Sequence, residues 1–592
     1  MSLESGNSAF MRRLEQGYIS KDLRKSPFTN LVMGFLVKYN QMKNLKISII
    51  FGLIFLYACQ PKIKPEITPT STFMTKTSDT FTATVSPTPS ITSTPQPRQQ
   101  PTSYGPELKD FPPGYNPLTG LPVQDPSMLD LPAVLVSISN MPVTARPQAG
   151  LGFAPWVFEL FIGEGTTRFM SVFYGDYPRI IPNVSGDCTV REKRFIPERD
   201  WTGNYIWLDE NHNGQQDAWE VGVGGICIHL FDAASGELLA STSSNSNGYY
   251  GFEIVPGTKY FLQFELPSIY QFTNPDVGDD DHDSDVDPTS GQTPVFQPFA
   301  SDSSWDAGLL LLEKPTATPN PVVTGTPPGW YIPSGTYVGP IRSGRLTYNQ
   351  IKYMFTDSCL VYASAGRGIR EALDGCEIIF GVDPTTPNSS LLTVEHMLEL
   401  AEESKVENHP INYSGNVFSD TPPIDGQPAT DLHVFYHDYS QSLWEYDPIS
   451  KSYLRFTDLA DGTAMFVPAT DRLTGRQLKF ENVIVLPAIH NRIRHLQFDI
   501  DLGIGKREPA YLFRDGQVFK IYWSTVNREW EKESGFLRPI HFVDSDGNPI
   551  PLRHGRTWIH LVTPESYLED LGAGEWQVRF IQPYDPIDTP EP

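Results

Sequence analysis

The segment from residue 200 to residue 313 carries 19 acidic residues and a single basic one, Lys259. Its net charge of −18 must be solvated or neutralised by cations, because like charges buried together repel strongly. Its apolar residues nevertheless alternate over short runs, as in 226–230 and 260–266, and turn signals containing glycine separate these runs. A period of two is typical of β-strands, so this segment is predicted to be an all-β sandwich.

Residues 209–220 within this segment have the spacing of a twelve-residue calcium loop. Oxygen-bearing side chains fall at loop positions 1, 3, 5, 9 and 12, and Gly214 at position 6 permits a sharp turn. The predicted ligands are the backbone carbonyl of Gln215 and the side chains of Asp209, Asn211, Asn213, Asp217 and Glu220. No amphipathic helices flank the loop, which favours a calcium loop in a β setting over a helical EF-hand pair. The alternative is a polar surface turn.

A second acidic cluster follows, with six aspartates between residues 279 and 287. Carboxylates this close repel one another unless they are solvated or bound to a cation. Its predicted calcium ligands are Asp279, Asp281, Asp283 and Asp285. The alternative is a solvated acidic loop.

The motifs of this segment resemble a known family. They are residues 203–209 leading into the loop, residues 247–252, the aspartate cluster, and residues 306–308. Together they are similar to the B-type domain of serine-aspartate repeat surface proteins. The resemblance implies a calcium-stabilised β-sandwich that acts as a rigid spacer, with a structural rather than a catalytic role.

The N-terminal part of the chain predicts export. A short basic stretch at 42–46 precedes an apolar run, Ile47–Ala58, that is too short to span a bilayer but suits a signal peptide. The run ends at Leu-Tyr-Ala-Cys59, which resembles a bacterial lipobox, so residues 42–58 are predicted to be a lipoprotein signal peptide. An ordinary signal peptide or core segment is the alternative. Residues 1–41 would then be a spurious upstream extension.

Residues 59–103 are predicted to be a tether. Among the 43 residues from 61 to 103 there are 12 Thr, 6 Ser and 8 Pro, a composition that buries no core. A lipid on Cys59 would hold the protein at the extracytoplasmic face of the cell membrane. A second Pro/Thr-rich stretch, 314–335, closes the acidic segment, which suggests a domain inserted into a surface loop of another. We call residues 180–313 the insert, with its core at 200–313, and residues 104–179 and 336–592 the host.

The host also resembles a family. The motifs before the insert lie at 116–122, 145–151 and 163–169, and the pattern resumes at 338–345. They are similar to the YerB-like bacterial lipoproteins, whose domain has no settled activity. We predict a host domain in two parts, 104–179 and 336–430, followed by a β-rich lobe at 431–592.

Helical stretches at 347–355 and 393–403 alternate with strands in the host, which predicts a mixed α/β lobe. Short runs and Asp-Gly turns after residue 430 predict the β-rich C-terminal lobe. The predicted fold class is therefore α+β multidomain, with this mixed host interrupted by an all-β sandwich of Greek-key, Ig/prealbumin-like type.

Charged residues in the host motifs indicate where the host could bind a ligand or transfer protons. Arginines that converge on a cleft bind carboxylate or phosphate, and a carboxylate beside them can transfer protons. The candidate ligand-binding residues are Arg146, Arg168, Arg342, Arg345, Glu159 and Glu164. One hypothesis is a binding or scaffold protein of the envelope, with cell-wall polymer or a surface protein as its partner. The alternative is an enzyme acting on cell-wall polymer. Buried structural ion pairs would explain the same residues.

The overall charge narrows the partners. With 45 Lys+Arg against 70 Asp+Glu the formal charge is −25, which argues against non-specific binding to nucleic acid. Four cysteines follow Cys59, at 188, 227, 359 and 376, and export makes disulfides feasible. Local pairing would join the first two and the last two, but all three pairings and free thiols stay open.

Overall fold

The computed structural model describes residues 103–583, apart from 180, 182–183, 189, 191–198, 313–334, 382–387 and 495–496. The predicted upstream extension, signal peptide and lipidated Cys59 lie outside these residues, as does the tether up to residue 102. So does the linker at 314–335, except for its last residue. Within the described ranges, no helix has both the length and the apolar character needed to cross a membrane.

The strands fall into three groups along the chain. Before the insert lie β1 (Ser103–Tyr104), β2 (Tyr115–Asn116), β3 (Leu121–Pro122), β4 (Val134–Ser139), β5 (Trp156–Gly163) and β6 (Thr166–Phe173). The insert contains β7 (Trp201–Thr202), β8 (Ile206–Leu208), β9 (Val221–Gly222), β10 (Cys227–Asp232), β11 (Leu238–Ser243), β12 (Phe252–Glu253), β13 (Tyr260–Glu265), β14 (Tyr270–Phe272) and β15 (Ala307–Leu311).

The third group follows the insert. Its strands are β16 (Tyr337–Val338), β17 (Cys359–Tyr362), β18 (Glu377–Ile378), β19 (Leu392–Thr393), β20 (Val417–Ser419), β21 (Gln427–Pro428), β22 (Asp431–His437), β23 (Ser440–Asp447), β24 (Ser452–Asp458), β25 (Phe466–Pro468), β26 (Lys479–Phe480), β27 (Asn482–Pro487), β28 (His490–Arg494), β29 (Gln497–Ile500), β30 (Arg507–Arg514), β31 (Gln517–Ser524), β32 (His541–Val543), β33 (Pro551–Leu552), β34 (Thr557–Val562), β35 (Tyr567–Gly572) and β36 (Glu575–Arg579). The α-helices of the described chain are α1 (Thr347–Lys352), α2 (Arg367–Arg370), α3 (Val394–Ser404) and α4 (Glu529–Ser534).

An eleven-stranded mixed sheet forms the centre of the host, in the order β18-β17-β4-β6-β5-β34-β27-β30-β31-β21, with β32 beside β31. Strands β4, β6 and β5 are antiparallel neighbours, whereas β34 runs parallel to both β5 and β27. The sheet thus unites chain from before and after the insert. Its central strands are buried along their length, which is why they read as continuous apolar runs.

Side chains from alternate positions of these strands fill two cores, one on each face of the sheet. One core contains Val157, Phe169 and Trp558 and extends to Trp444 of a second, seven-stranded sheet. The other core contains the apolar residues at the intervening positions of the same strands, together with the apolar face of α1. The second sheet, in the order β25-β24-β23-β22-β36-β35 with β26 beside β24, therefore covers one face of the first.

The insert is all-β, as its alternating apolar residues predict. A three-stranded sheet, β11-β10-β13, and a four-stranded sheet, β14-β15-β8-β9, share one apolar core. Residues such as Ile228, Leu230 and Leu262 fill this core, and the polar residues between them point outward. The acidic side chains of the segment are consequently confined to the loops and the outer faces.

The predicted mixed α/β host lobe is wrong. Strands account for 39% of the structure and helices for 9%, and the longest of the four described α-helices, α3, has 11 residues. The helical stretches near 347 and 394 do form, but they lie against the faces of a mostly β body. The central parallel pairing of β5 with β34 joins residues 156–160 to residues 557–561, so it does not arise from a local βαβ unit.

The two cysteine pairs that are local in sequence form disulfides. Cys188 joins Cys227 on β10, and Cys359 on β17 joins Cys376. The first bond fixes the chain entering the insert to one of its strands. The second closes the connection between β17 and its parallel neighbour β18.

Replacement of Ile484 by alanine should destabilise the host strongly. Ile484 is fully buried on β27 in the centre of the large sheet. We expect a loss of about 2–5 kcal/mol in the free energy of unfolding, measured by urea denaturation. The matched control is Ile504→Ala, since Ile504 is 62% exposed and should change stability by less than about 0.5 kcal/mol. Equal effects of the two substitutions would contradict the assigned core.

Candidate functional site

The predicted calcium loop connects β8 to β9 of the insert and begins at Asp209. This carboxylate is only 1% exposed. It accepts hydrogen bonds from the backbone N–H groups of Asn213 (3.1 Å) and Gly214 (2.9 Å) and from the hydroxyl of Thr273 (2.5 Å). The loop therefore folds around one buried carboxylate, and Gly214 adopts the left-handed conformation (φ 79°) that the turn requires.

The remaining side chains of the loop turn toward one another. The amide groups of Asn211 and Asn213 both donate to Asp217, at 2.7 and 3.1 Å. Glu220 accepts from the backbone N–H groups of Glu210 (2.8 Å) and Asp217 (3.1 Å). Burial raises the pKa of Glu220 to about 7, and the nearby negative charges add to this shift. A bound cation would favour the charged form of such a group.

The second acidic cluster lies beside the loop, because Gln215 pairs with Asp283 in an isolated β-bridge. Asp283 and Asp285 are buried, and burial raises their pKa values to about 6 and about 8. One oxygen of Asp283, Oδ1, is buried without a hydrogen-bond partner. The other two predicted ligands, Asp279 and Asp281, are more exposed. The cluster thus divides into a buried and an outer part.

Asp306 belongs to the buried part, although the sequence did not mark it as a ligand. Its carboxylate is fully buried and accepts from the backbone N–H of Tyr205 (2.9 Å) and the amide of Asn204 (3.1 Å). Burial, then the negative charge of Asp285, raises its pKa well above the usual value. Its position in the 306–308 motif was the available signal, but only the fold brings it to Asp285, whose carboxylate accepts its backbone N–H at 2.6 Å.

The chemistry of these groups fits a hard cation, since all are oxygen donors and one buried carboxylate oxygen lacks a partner. Among the described residues, however, no three His, Cys, Asp or Glu side chains converge as a ready metal site. A cation at the loop would accordingly draw on asparagine and backbone oxygens as well as on Asp209, Asp217 and Glu220.

The candidate residues of the host do not share one cleft. On the paired strands β5 and β6, Glu159 is opposite Phe169 and Leu160 is opposite Arg168. Because side chains alternate along strands, Glu159 and Arg168 point to opposite faces of the sheet. Arg146 pairs with Asp458 at 3.2 Å and also interacts electrostatically with Glu159. Glu164 is exposed in the β5–β6 turn.

Three of the predicted arginines do come together. Arg168 donates to the backbone and side-chain oxygens of Ser343 (2.7 and 3.0 Å), and Arg345 donates to the same two oxygens (3.3 and 3.0 Å). Burial lowers the pKa of Arg168 to about 9, with contributions from the charges of Arg345 and Arg342. The Nε atoms of Arg168 and Arg345 are buried without hydrogen-bond partners. This arginine group, Arg168, Arg342 and Arg345, is positively charged and half-buried overall.

Glu159 instead belongs to a buried charge cluster that the sequence did not reveal. It accepts from Thr167 (2.8 Å) and Trp558 (3.2 Å), and its Oε2 lies 3.5 Å from Arg455 Nη2. Burial raises the pKa of Glu159 despite the charge of Arg455. His560 Nδ1 lies 3.5 Å from Glu159 Oε2, and burial lowers the pKa of His560 well below its usual range. The cluster is fully enclosed between the two sheets.

A cleft of about 1310 Å³ lies between the insert and the host. Its host wall includes Lys451, Arg553 and His554. Its insert wall includes Asp217 and Trp219 of the loop. The predicted calcium loop therefore borders a space large enough for an extended ligand.

Models of protein families match three parts of the chain. The SdrD B-like domain matches residues 201–309. The N-terminal and C-terminal domains of a protein of unknown function, DUF3048, match residues 118–186 and 432–559. Both DUF3048 domain models therefore match the chain, with the SdrD B-like match between them. Arg168 lies inside the N-terminal match, whereas Arg345 lies between the matched regions.

Individual relatives agree with this division. The chain is 26% identical over 260 residues to YerB of Bacillus subtilis (strain 168), named as a candidate lipoprotein, across 40% of this chain and 70% of YerB. The chain is 36% identical over 112 residues to serine-aspartate repeat-containing protein C of Staphylococcus aureus (strain Newman), across 18% of this chain. The chain covers 11% of that relative and 2% of Colossin-B of Dictyostelium discoideum, which it also resembles.

The crystal structure of Bacillus subtilis YerB aligns with 76% of this chain and 96% of its own chain, with a TM-score of 0.38 and 16% identity.

Removal of the Glu159 carboxylate should destabilise the host. Glu159→Ala would leave Arg455 buried without its anionic partner, so we expect a loss of about 3–5 kcal/mol in unfolding free energy. Urea denaturation of the full-length protein measures it. Glu164→Ala is the matched control, since Glu164 is exposed and should have almost no effect. A small effect at Glu159 would mean that its charge does not stabilise Arg455.

Proposed function

We propose that this protein is a bacterial cell-surface lipoprotein that binds an anionic component of the cell envelope, with the SdrD B-like domain as a calcium-stabilised spacer. The similarity to YerB and to serine-aspartate repeat proteins suggests an extracellular location. In this proposal a lipid on Cys59 anchors the chain, and the Thr/Ser/Pro-rich residues 59–103 carry the host away from the membrane.

The arginine group is the observation that carries the binding role. The guanidinium groups of Arg168 and Arg345 both donate to Ser343. Burial lowers the pKa of Arg168 to about 9, and the charges of Arg345 and Arg342 add to this shift. Like charges held together at an energetic cost are relieved by an anion. Guanidinium groups bind carboxylate and phosphate well, and both occur in wall peptides and wall polymers.

Catalysis by the predicted Arg/Glu set has less support. An acid or base must lie within hydrogen-bond reach of the group on which it acts. Glu159 is enclosed on the face of the sheet opposite Arg168, and Glu164 is exposed in a turn. Since neither glutamate adjoins the arginine group, binding is the function that this geometry favours.

Calcium binding by the insert rests on its oxygen donors. Asp209 and Glu220 are buried carboxylates in the loop, and Asp283 has a buried oxygen without a partner. Desolvated carboxylates this close together oppose folding unless a cation or protons neutralise them. Calcium supplies that neutralisation outside the cell, where proteins of this kind encounter it.

Calcium should stabilise the insert. A ligand that binds only the folded state adds RT ln(1 + [L]/Kd), about 2.7 kcal/mol when its concentration is one hundred times Kd. We expect millimolar calcium to raise the melting temperature of the insert transition in calorimetry of the full-length protein. Asp209→Ala should abolish the increase, and Glu237→Ala, at an exposed turn, should preserve it. No increase in the wild-type protein would disprove the calcium role.

The arginine group should mediate binding to wall material. We expect Arg345→Ala to weaken sedimentation of the protein with purified peptidoglycan or wall teichoic acid by about tenfold, the equivalent of about 1.4 kcal/mol. Binding should also weaken as salt is added, because counterions screen such contacts. Arg507→Ala is the matched control, since Arg507 is exposed and lies on β30, four strands away from β6 and Arg168 in the large sheet. Equal binding by both variants would contradict the site.

A further inference from the structure

The predicted calcium loop, residues 209–220, contacts the host through its second residue, Glu210, and its eleventh, Trp219. Arg179, the last host residue before the insert, donates to both carboxylate oxygens of Glu210, at 3.1 and 2.9 Å. The same guanidinium donates to the backbone carbonyl of Trp219 (2.9 Å) and lies 5.9 Å from the centre of its ring. One arginine thus joins both ends of the loop, and neither contact uses a predicted calcium ligand.

A second host arginine meets the chain just after the loop. Arg476, in the turn between β25 and β26, donates to the backbone carbonyls of Gly222 (2.5 Å) and Ser246 (3.1 Å). Gly222 is the second residue of β9, two residues beyond Glu220, the last predicted ligand. Movement of the loop end would shift this acceptor directly.

Two further contacts extend the interface. Lys479 donates to the hydroxyl of Tyr249 at 3.1 Å and lies 5.0 Å from the centre of its ring. Phe153 of the host packs against both the host core and the core of the insert. The insert is therefore seated on the host by ionic, backbone and apolar contacts, and is not held by its connections alone.

We propose that cation binding in loop 209–220 locks the insert onto the host through Arg179 and Arg476. The inference rests on the calcium binding proposed above. An ordered loop holds the Glu210 carboxylate, the Trp219 carbonyl and the Gly222 carbonyl where the two arginines meet them. Without the cation, Asp209, Asp217 and Glu220 repel one another, and the acceptors that lie between and beside them lose their fixed positions.

Thermodynamic linkage makes this coupling measurable. If the cation strengthens docking, docking must strengthen cation binding by the same factor. Loss of the host contacts should therefore weaken calcium binding even though every predicted ligand is intact. The same locking would fix the width of the 1310 Å³ cleft, one wall of which is formed by the loop.

The test compares calcium affinity among full-length variants by isothermal titration. We expect Arg179→Ala, and Glu210→Gln at the other side of the same contact, each to weaken calcium binding about fivefold or more. Arg507→Ala is the matched control, because Arg507 contacts Ser545 of the host and should leave the affinity unchanged. Hydrogen exchange provides the second readout: calcium should slow exchange in the host turn at 470–477 of the wild-type protein but not of Arg179→Ala.

The outcomes separate the two proposals. Calcium binding with equal affinity in all variants, with exchange slowed only inside the insert, would overturn the lock and leave calcium binding intact. No calcium binding by the wild-type protein would overturn both. Weaker binding in Arg179→Ala and Glu210→Gln, together with loss of the host protection, would establish the coupling.

Discussion

The parallel pairing of β5 with β34 is the constraint on which the host depends. It joins Trp156–Leu160, which precede the insert, to Thr557–Leu561, close to the end of the described chain. Every other strand of the large sheet is placed by its pairing to one side or the other of this junction. Since no local hairpin can form it, the two halves of the host must find each other across the whole insert. The insert must consequently leave the host segments before and after it free to pair with each other.

The buried cluster around Arg455 adds a second constraint at the same junction. Its guanidinium lies 4.6 Å from the centre of the Trp558 ring and 5.8 Å from that of Trp444, so it touches both sheets. A charge taken out of water requires a partner with a defined position, and Glu159 supplies it from β5. The apolar core packs the two sheets together, and the Arg455–Glu159 pair adds one polar contact of defined position across it.

The sequence predicted local features better than distant ones. Alternation near Ile228 and Leu262 was sufficient for the β-structure of the insert, and spacing alone identified the loop that closes around Asp209. The prediction of a mixed host lobe was wrong. The helices near 347 and 394 can be recognised from the sequence, but the parallel pairing of strands far apart in sequence cannot.

The candidate site shows the same limit. Arg168 and Arg345 were identified, but the opposite orientation of Glu159 follows only from the β5–β6 register. Asp306 and Arg455 were missed as site residues because their importance comes from neighbours far away in sequence.

The Cys188–Cys227 bond has a further consequence, as it spans the entry to the insert. A protease that cuts the backbone anywhere between these cysteines leaves the two fragments joined by the disulfide. The cleaved protein would therefore remain one covalent molecule.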